Sequence, residues 1–224
     1  MGFWGAIKKA INTDLSFPLD KLITEHGIQT FTEDGTFIVP KGVKKVWITA
    51  CGGGQGGGSG TVSTSNWKYA PAGGDGGECI IRESFSVLPN QQIDIVIGTG
   101  GVASKAVHGA EGVFGDPGGN TVIGSLVTIR GGDHSGHGLI GSGKGGTGYT
   151  AYSGTERTSA SAGEDGIRGV GGRSSDESSA ADRKGGGGGS YGNGGDALSD
   201  TLPGYGGGGA GGQDGGSGVV FIEW

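Results

Sequence analysis

The chain has 224 residues, of which 58 are glycine, against a usual glycine content of about 7%. Hydrophobic residues make up only 32%, which disfavours an ordinary close-packed globule. The six prolines and the lack of a strict three-residue glycine period exclude collagen. The net charge of −6 argues against binding to nucleic acid through the phosphate backbone. Only five glycines fall within residues 1–50, so the glycine-rich part follows a more ordinary N-terminal part.

Residues 1–27 are predicted to form a helical segment for attachment or oligomerisation. Ser16 and Pro18 favour a helix start, and Gly27 favours a stop. Helices of about ten residues are marginal alone, so their apolar side needs a partner. Docking on another protein or self-association is favoured over packing on the chain's own body or on a membrane surface. The apolar residues at helical spacing are Phe3, Trp4, Ile7, Ile11, Leu15, Leu19, Leu22 and Ile23.

From Gln29 onward, the apolar residues change to the period of two that is typical of strands. Glu33-Asp34-Gly35 is a hairpin signal between two such runs, and Leu88-Pro89-Asn90 indicates a turn. The pattern predicts a mainly β fold, an antiparallel β-sandwich of about seven or eight strands with long polyglycine-II-like insertions. The predicted strands are 30–32, 36–39, 45–50, 78–87, 92–97, 121–123, 126–129 and 219–224, with 121–129 forming a short hairpin.

Glycine segments at 52–60, 71–77, 98–119 and 131–218 separate these strands, and two interpretations of them compete. Glycine-rich sequence is usually a disordered linker. Bare backbones can also pack side by side as polyproline II helices joined by hydrogen bonds. Ordering glycine costs roughly 0.5–1 kcal/mol more than ordering alanine, so the packed form needs a dense set of hydrogen bonds. A hydrophobic strand at 219–224 favours packing, because it would be an aggregation hazard on a free tail.

No group of residues predicts an enzyme, a metal site or a cofactor. His134 and His137 are spaced for one metal ion, but two histidines in a glycine-rich loop are weak evidence. Cys51 and Cys79 are expected to face each other across neighbouring strands. A disulfide is geometrically plausible there, although assembly in the cytosol favours two buried thiols. No segment approaches the roughly 20 apolar residues of a membrane span, so membrane insertion is not expected.

The run from Thr36 to Gly54, TFIVPKGVKKVWITACGGG, resembles the opening of a glycine-rich domain common in bacteriophage tail proteins. The same pattern continues in SFSVLPN at 84–90, IDIVIGTGG at 93–101, GGNT at 118–121 and GVVFIEW at 218–224. The resemblance therefore covers about residues 28–224. Asn90 stands where the family pattern has glycine, a substitution that left-handed backbone geometry tolerates.

The resemblance implies a virion protein assembled in the host cytoplasm: a tail-fibre component or receptor-binding adhesin, expected to be a homotrimer. Residues 1–27 would attach it to other tail or baseplate proteins. The domain at 28–224, with a long tip at 131–218, would bind a host cell-surface glycan or outer surface protein. A purely structural fibre spacer, or a head or tail decoration protein, is the alternative. The aromatic residues that would either contact a receptor or cap glycine helices are Trp67, Tyr69, Tyr149, Tyr152, Tyr191 and Tyr205.

Overall fold

A computed structural model describes residues 26–59, 61–62, 68–69, 72–105, 113–134, 139–145, 150–151, 160–174 and 184–224. Within these residues the regular secondary structure is β-strand and no helix occurs, so the predicted mainly β class is confirmed. The eight predicted attachment residues, between Phe3 and Ile23, lie outside the described part of the chain. The strands are β1 (Ile28–Phe31), β2 (Gly35–Ile38), β3 (Lys45–Cys51), β4 (Thr61–Val62), β5 (Lys68–Tyr69), β6 (Cys79–Ser86), β7 (Gln92–Val96), β8 (Thr121–Ile123), β9 (Val127–Ile129), β10 (Thr150–Ala151) and β11 (Val219–Glu223).

The first sheet has the antiparallel order β1-β11-β3-β6. The C-terminal strand β11 lies in its interior, where Val220 pairs with Phe31 on one side and Ala50 on the other. The predicted return of residues 219–224 to the sheet is thereby confirmed. The pairing of β1 with β11 continues for one residue beyond both strands, because Gly27 and Trp224 exchange two backbone hydrogen bonds of 2.9 and 3.0 Å.

The second sheet is also antiparallel and has the order β2-β7-β8-β9. Its β8–β9 pair is the predicted short hairpin, with Val122 opposite Thr128. The two-residue strands β10, β5 and β4 form a third, small sheet. They were not predicted, because two residues are too short for an alternating pattern to be recognised.

The inward side chains of both four-stranded sheets share one hydrophobic core. Alternation explains which side chains point inward: on β7, Ile93 and Ile95 are buried and the residues between and beside them are exposed. Each fully buried side chain of this size contributes about 1.5–3 kcal/mol. The largest fully buried residues of this core are Phe37, Val39, Val46, Ile48, Ile95, Ile123, Ile129, Val220 and Ile222.

The hairpin predicted at Glu33-Asp34-Gly35 is wrong, because β1 and β2 belong to different sheets. The Asp34 side chain does not close a tight turn between them. Its Oδ1 accepts a hydrogen bond from the Ile97 backbone nitrogen (2.8 Å), just beyond the end of β7. The turn predicted at 88–90 does occur, and it carries the chain from β6 in one sheet to β7 in the other. Asn90 has the predicted left-handed conformation, with φ of 63°.

The two ends of the paired sheets carry different parts of the chain. Strands β3, β7 and β9 run into glycine-rich tracts, and β6, β8 and β11 follow such tracts. In the first sheet, Cys51 lies opposite both Cys79 and Val219. In the second sheet, Val96 at the end of β7 lies opposite Val122, and Ile129 at the end of β9 lies opposite Thr121. The Thr121 hydroxyl donates to the Cys51 oxygen at 2.8 Å, so the six strand ends lie together. Ile28 lies opposite Glu223, at the other end of β11. The chain therefore enters the sheets at the end opposite the glycine tracts.

Candidate functional site

The glycine tract at 52–59 leaves β3 and donates its backbone hydrogens to three neighbouring tracts in strict rotation. The nitrogens of Gly52, Gln55 and Gly58 donate to the oxygens of Glu78, Asp75 and Ala72 at 2.8–3.0 Å. The residues one position further along, Gly53, Gly56 and Ser59, donate to Gly119, Asp116 and Val113. Gly54 and Gly57 complete the rotation by donating to Gly216 and Gln213. The hydrogen bonds thus repeat every three residues, which is the repeat of a polyproline II helix.

The carbonyl groups of the same tract are bonded to three further segments. The oxygens of Gly54 and Gly57 accept from Gly101 and Ser104, and that of Gly53 accepts from Gly132. The oxygens of Gln55 and Gly58 accept from Gly209 and Gly212. The tract is buried throughout its length. It lies at the centre of a bundle that it forms with segments at 72–78, 101–104, 113–119, 132 and 209–216. We call this bundle, together with the glycine tracts bonded to it, the glycine network.

The glycine network leaves no room for side chains at most positions of this central tract. A Cβ atom added at Gly54 would fall on the carbonyl of Gly207, and one added at Gly57 on that of Ala210. Both would lie well inside the 3.0 Å that real Cβ atoms essentially never cross. Glycine is therefore required here because a neighbouring backbone occupies the space of a side chain.

A few polar side chains do lie inside the network, and each forms hydrogen bonds with backbone groups of other segments. Gln55 donates through Nε2 to the Gly115 oxygen and accepts through Oε1 from the Asp75 nitrogen, both at 3.2 Å. The Ser190 hydroxyl donates to the Gly77 oxygen at 2.6 Å. Thr121 donates to the Cys51 oxygen (2.8 Å) and accepts from the Gly98 nitrogen (3.0 Å), where the sheets join the network. Sequence reasoning missed these residues, although an isolated polar residue in a glycine run is the signal for Gln55 and Ser190.

The two cysteines lie side by side, as the sequence predicted, and both are free. The Gly52 nitrogen donates to the Glu78 oxygen, so Cys51 and Cys79 form a non-hydrogen-bonded antiparallel pair, in which side chains come closest. Burial, the larger cause, and the proximity of Cys79 raise the pKa of Cys51 to about 12. Burial likewise raises the pKa of Cys79 to about 12. Such thiols stay protonated and unreactive at neutral pH.

The described aromatic candidates are Tyr69, Tyr191 and Tyr205. Tyr191 is half-buried: its ring lies 5.4 Å from that of Phe221 and is covered by the Arg168 guanidinium at 5.3 Å. Tyr205 is 42% exposed. The backbone of Tyr69 pairs with neighbouring strands as part of β5. Trp67, Tyr149 and Tyr152 lie outside the described residues.

Tyr205 lies in an open groove of about 630 Å³ on the side of the glycine network. One wall is the segment from Leu202 to Tyr205, and the other runs from Gly212 to Ser217. The groove combines exposed apolar side chains, one carboxylate, one amide and glycine backbone. Sequence reasoning identified Tyr205 but missed the groove, because its walls come together only through contacts within the network.

The comparison with protein families agrees with the architecture of strands and glycine tracts. A family model described as a glycine-rich domain matches residues 30–224, which include both four-stranded sheets almost completely. The chain belongs to this glycine-rich domain family. No curated protein matches the chain at a significant level.

The structure describes one of the two histidines that are spaced for a metal ion. His134, one of the two histidines spaced for a metal, stacks on the Phe114 ring with centroids 3.7 Å apart, and His137 is outside the described part. Among the described residues, no three His, Cys, Asp or Glu side chains are grouped as metal ligands would be. A search of the same residues finds no helix with the length and hydrophobicity to cross a lipid bilayer.

Proposed function

We propose that this glycine-rich domain protein is a bacteriophage tail-fibre component or adhesin that binds a receptor on the host cell surface. The main support for the proposal is the polarity of the fold, by which we mean that the two ends of the sheets carry different parts of the chain. The chain enters the sheets at Ile28, and the glycine network extends from the opposite end. Such a polarity suits a protein held at one end and presenting binding loops at the other.

In this proposal the two sheets form a β-sandwich base and the glycine tracts form a bundle of polyglycine-II-like helices. The three-residue repeat of hydrogen bonds along residues 52–59 supports it. The bundle holds its loops mainly through backbone contacts. The loop side chains are thereby left available for a receptor, either a glycan or an outer surface protein.

Residues 1–27 attach the protein to other tail or baseplate proteins, and the assembled fibre is a homotrimer. The test is virion assembly with a chain that lacks residues 1–27, compared with the full chain. We expect the truncated chain to be absent from purified virions. A single subunit mass for the full chain in analytical ultracentrifugation would contradict the trimer, and unchanged incorporation would contradict the attachment role.

Receptor binding is tested with the labelled full chain on a panel of candidate host bacteria. Alanine at Trp67, Tyr69, Tyr149, Tyr152 and Tyr205 should reduce cell binding, because aromatic side chains supply much of the contact area of protein binding surfaces. The matched control is Leu88→Ala, since Leu88 is 71% exposed in the turn between β6 and β7, at the opposite end of the sheets. Failure of the full chain to bind any host would favour a purely structural role, such as a fibre spacer or decoration protein.

Order in the glycine tracts is tested separately by hydrogen exchange. The backbone hydrogen bonds along 185–195 and 204–218 predict slow exchange, comparable to that of the amides in β3. Exchange at random-coil rates in these tracts would contradict the packed bundle.

A further inference from the structure

The groove beside Tyr205 has the dimensions and chemistry of a small-ligand site. Its volume of about 630 Å³ lies within the roughly 300–1,000 Å³ that is usual for such sites. It is an open groove and not an enclosed cavity. Its described lining residues are Leu202, Pro203, Gly204, Tyr205, Gly212, Gln213, Asp214, Gly215, Gly216 and Ser217.

The walls of the groove are held rigidly by the glycine network. On one side, the Gly204 nitrogen donates to the Asn193 oxygen at 2.9 Å. On the other, the nitrogens of Gly215 and Gly216 donate to Gly101 and Gly207, both at 2.8 Å. A ligand therefore meets a surface that is already ordered, which reduces the entropy lost on binding.

The groove presents exposed apolar side chains next to polar groups that are held by hydrogen bonds. Tyr205 is 42% exposed and Leu202 is 70% exposed, so both are available for contact. The Asp214 side chain is oriented by a hydrogen bond of 2.7 Å from the Ala103 nitrogen to Oδ1, and a carboxylate has a second oxygen to offer a ligand. Gln213 is oriented by the Ala210 nitrogen, which donates to Oε1 at 3.3 Å, so its amide hydrogens remain to donate.

A pyranose sugar matches this combination of groups. One face of the ring consists of C–H groups that pack on an aromatic surface, and its rim carries hydroxyls that both donate and accept hydrogen bonds. None of the described lining residues is Lys or Arg, and the groove carries Asp214. An anionic sugar would therefore meet a carboxylate with no cation to balance its charge. The groove favours neutral sugars over acidic ones.

We propose that the Tyr205 groove binds a short neutral oligosaccharide of hexopyranose units. Tyr205 stacks on a ring, Asp214 accepts from ring hydroxyls, and Gln213 donates to them. The biological role of this site rests on the proposed function, in which the sugar belongs to the glycan of the host surface. Binding of the sugar by the purified protein does not depend on that role.

The test is saturation-transfer NMR on the full chain with methyl glycosides of glucose, galactose and N-acetylglucosamine, and their β-linked trisaccharides. N-Acetylneuraminic acid serves as the anionic comparison. We expect at least one neutral trisaccharide to bind with a dissociation constant in the millimolar range or below, and the anionic sugar to give no transfer. No transfer to any neutral sugar would overturn the proposal, as would equal binding of the acidic one.

Variants place the binding in the groove. Tyr205→Ala should weaken binding about tenfold or more, and Tyr205→Phe, which keeps the ring, should stay within about threefold of the original chain. Asp214→Asn keeps the acceptor for the Ala103 nitrogen but removes the charge, and should reduce discrimination against the acidic sugar. Leu88→Ala is the exposed control outside the groove and should change nothing. Undiminished sugar binding by Tyr205→Ala would overturn the assignment to this groove.

The outcomes also separate this site from the proposed function. If the full chain binds host cells but no neutral sugar, the groove assignment fails and the adhesin proposal stands. If the chain binds sugar through Tyr205 but no host cell, the groove assignment stands and the adhesin proposal fails.

Discussion

Alanine substitutions at two neighbouring glycines of the central tract test whether stability depends on the space available for a side chain or only on the number of glycines. Gly57 and Gly58 are adjacent, buried and part of the same hydrogen-bonded tract. A Cβ at Gly57 would fall on the Ala210 carbonyl, whereas a Cβ at Gly58 would have its nearest atoms at 3.1 Å (Val113 oxygen) and 3.4 Å (Ala72 oxygen). Gly57→Ala and Gly58→Ala therefore differ in the space available and in little else.

The expected costs follow from these distances. An alanine at Gly57 forces the tract away from Ala210 by on the order of 1 Å, to restore a carbon–oxygen contact near 3.5 Å. Overpacking of this kind costs about 1–3 kcal/mol. The shift also stretches the 2.8 Å bond from the Gly57 nitrogen to Gln213, and a buried group left unbonded costs about 1–3 kcal/mol more. Gly57→Ala should thus lower the free energy of unfolding by about 2–6 kcal/mol.

Gly58→Ala should remain within about 1 kcal/mol of the original chain, because its small crowding is offset by the roughly 0.4–1 kcal/mol that alanine gains from a less flexible unfolded chain. Urea unfolding followed by circular dichroism measures both free energies, provided that the slope with urea is unchanged. Equal stability of the two variants, or a gain for Gly57→Ala, would refute the interpretation that a neighbouring backbone fills the side-chain space at Gly57.

Two further predictions concern buried polar groups. Thr121→Val keeps the shape but leaves the Gly98 nitrogen without its partner and removes the hydroxyl bond to the Cys51 oxygen, which keeps its partner in the β3–β11 pair. The free energy of unfolding should therefore fall by about 1–3 kcal/mol, against about 0.5 kcal/mol or less for the exposed control Thr128→Val. If both variants unfold at the same urea concentration, Thr121 does not join the sheets to the network. The pKa of each thiol is raised from 9.0 to about 12, so the folded state holds these protons more tightly than the unfolded chain does. The contribution of each thiol to stability should be constant below pH 9 and decline between pH 9 and about 12 by up to about 1.4 kcal/mol per pH unit. The Cys51→Ala/Cys79→Ala double variant should lose this decline, and a decline of the same size in that variant would assign it to other groups.

The sequence predicted those parts of the fold in which local residues determine the outcome. The β8–β9 hairpin and the left-handed Asn90 depend on a few adjacent residues, and both occur as predicted. The hairpin predicted at Glu33-Asp34-Gly35 was wrong, because β1 pairs with β11, a strand far away in the sequence, and not with β2 across the local turn signal. Phe31 pairs with Val220, near the C-terminus, and no local pattern shows such a contact.

The arrangement of the glycine tracts could not be predicted for a related reason. Alternating apolar and polar side chains predict which face of a strand is buried. A run of glycines has no side chains, so its sequence contains no pattern that predicts which segments it packs against. The partners of Gly53, for example, are Gly119 and Gly132, and the sequence contains many equivalent glycines. Only the isolated side chains, such as Gln55, distinguish one position of a tract from another. The groove beside Tyr205 was missed for the same reason, because both of its walls depend on tract neighbours.

The rotation of hydrogen bonds along residues 52–59 also limits how such a chain can change in length. Adding one residue to the tract would turn every later residue by a third of a revolution and direct its hydrogen toward the wrong neighbour. Adding three would restore the direction and lengthen the tract by about 9 Å. Lengths within the bundle should therefore vary among related chains in steps of three residues. Loops at the far end of the bundle are free of this rule and can take any length.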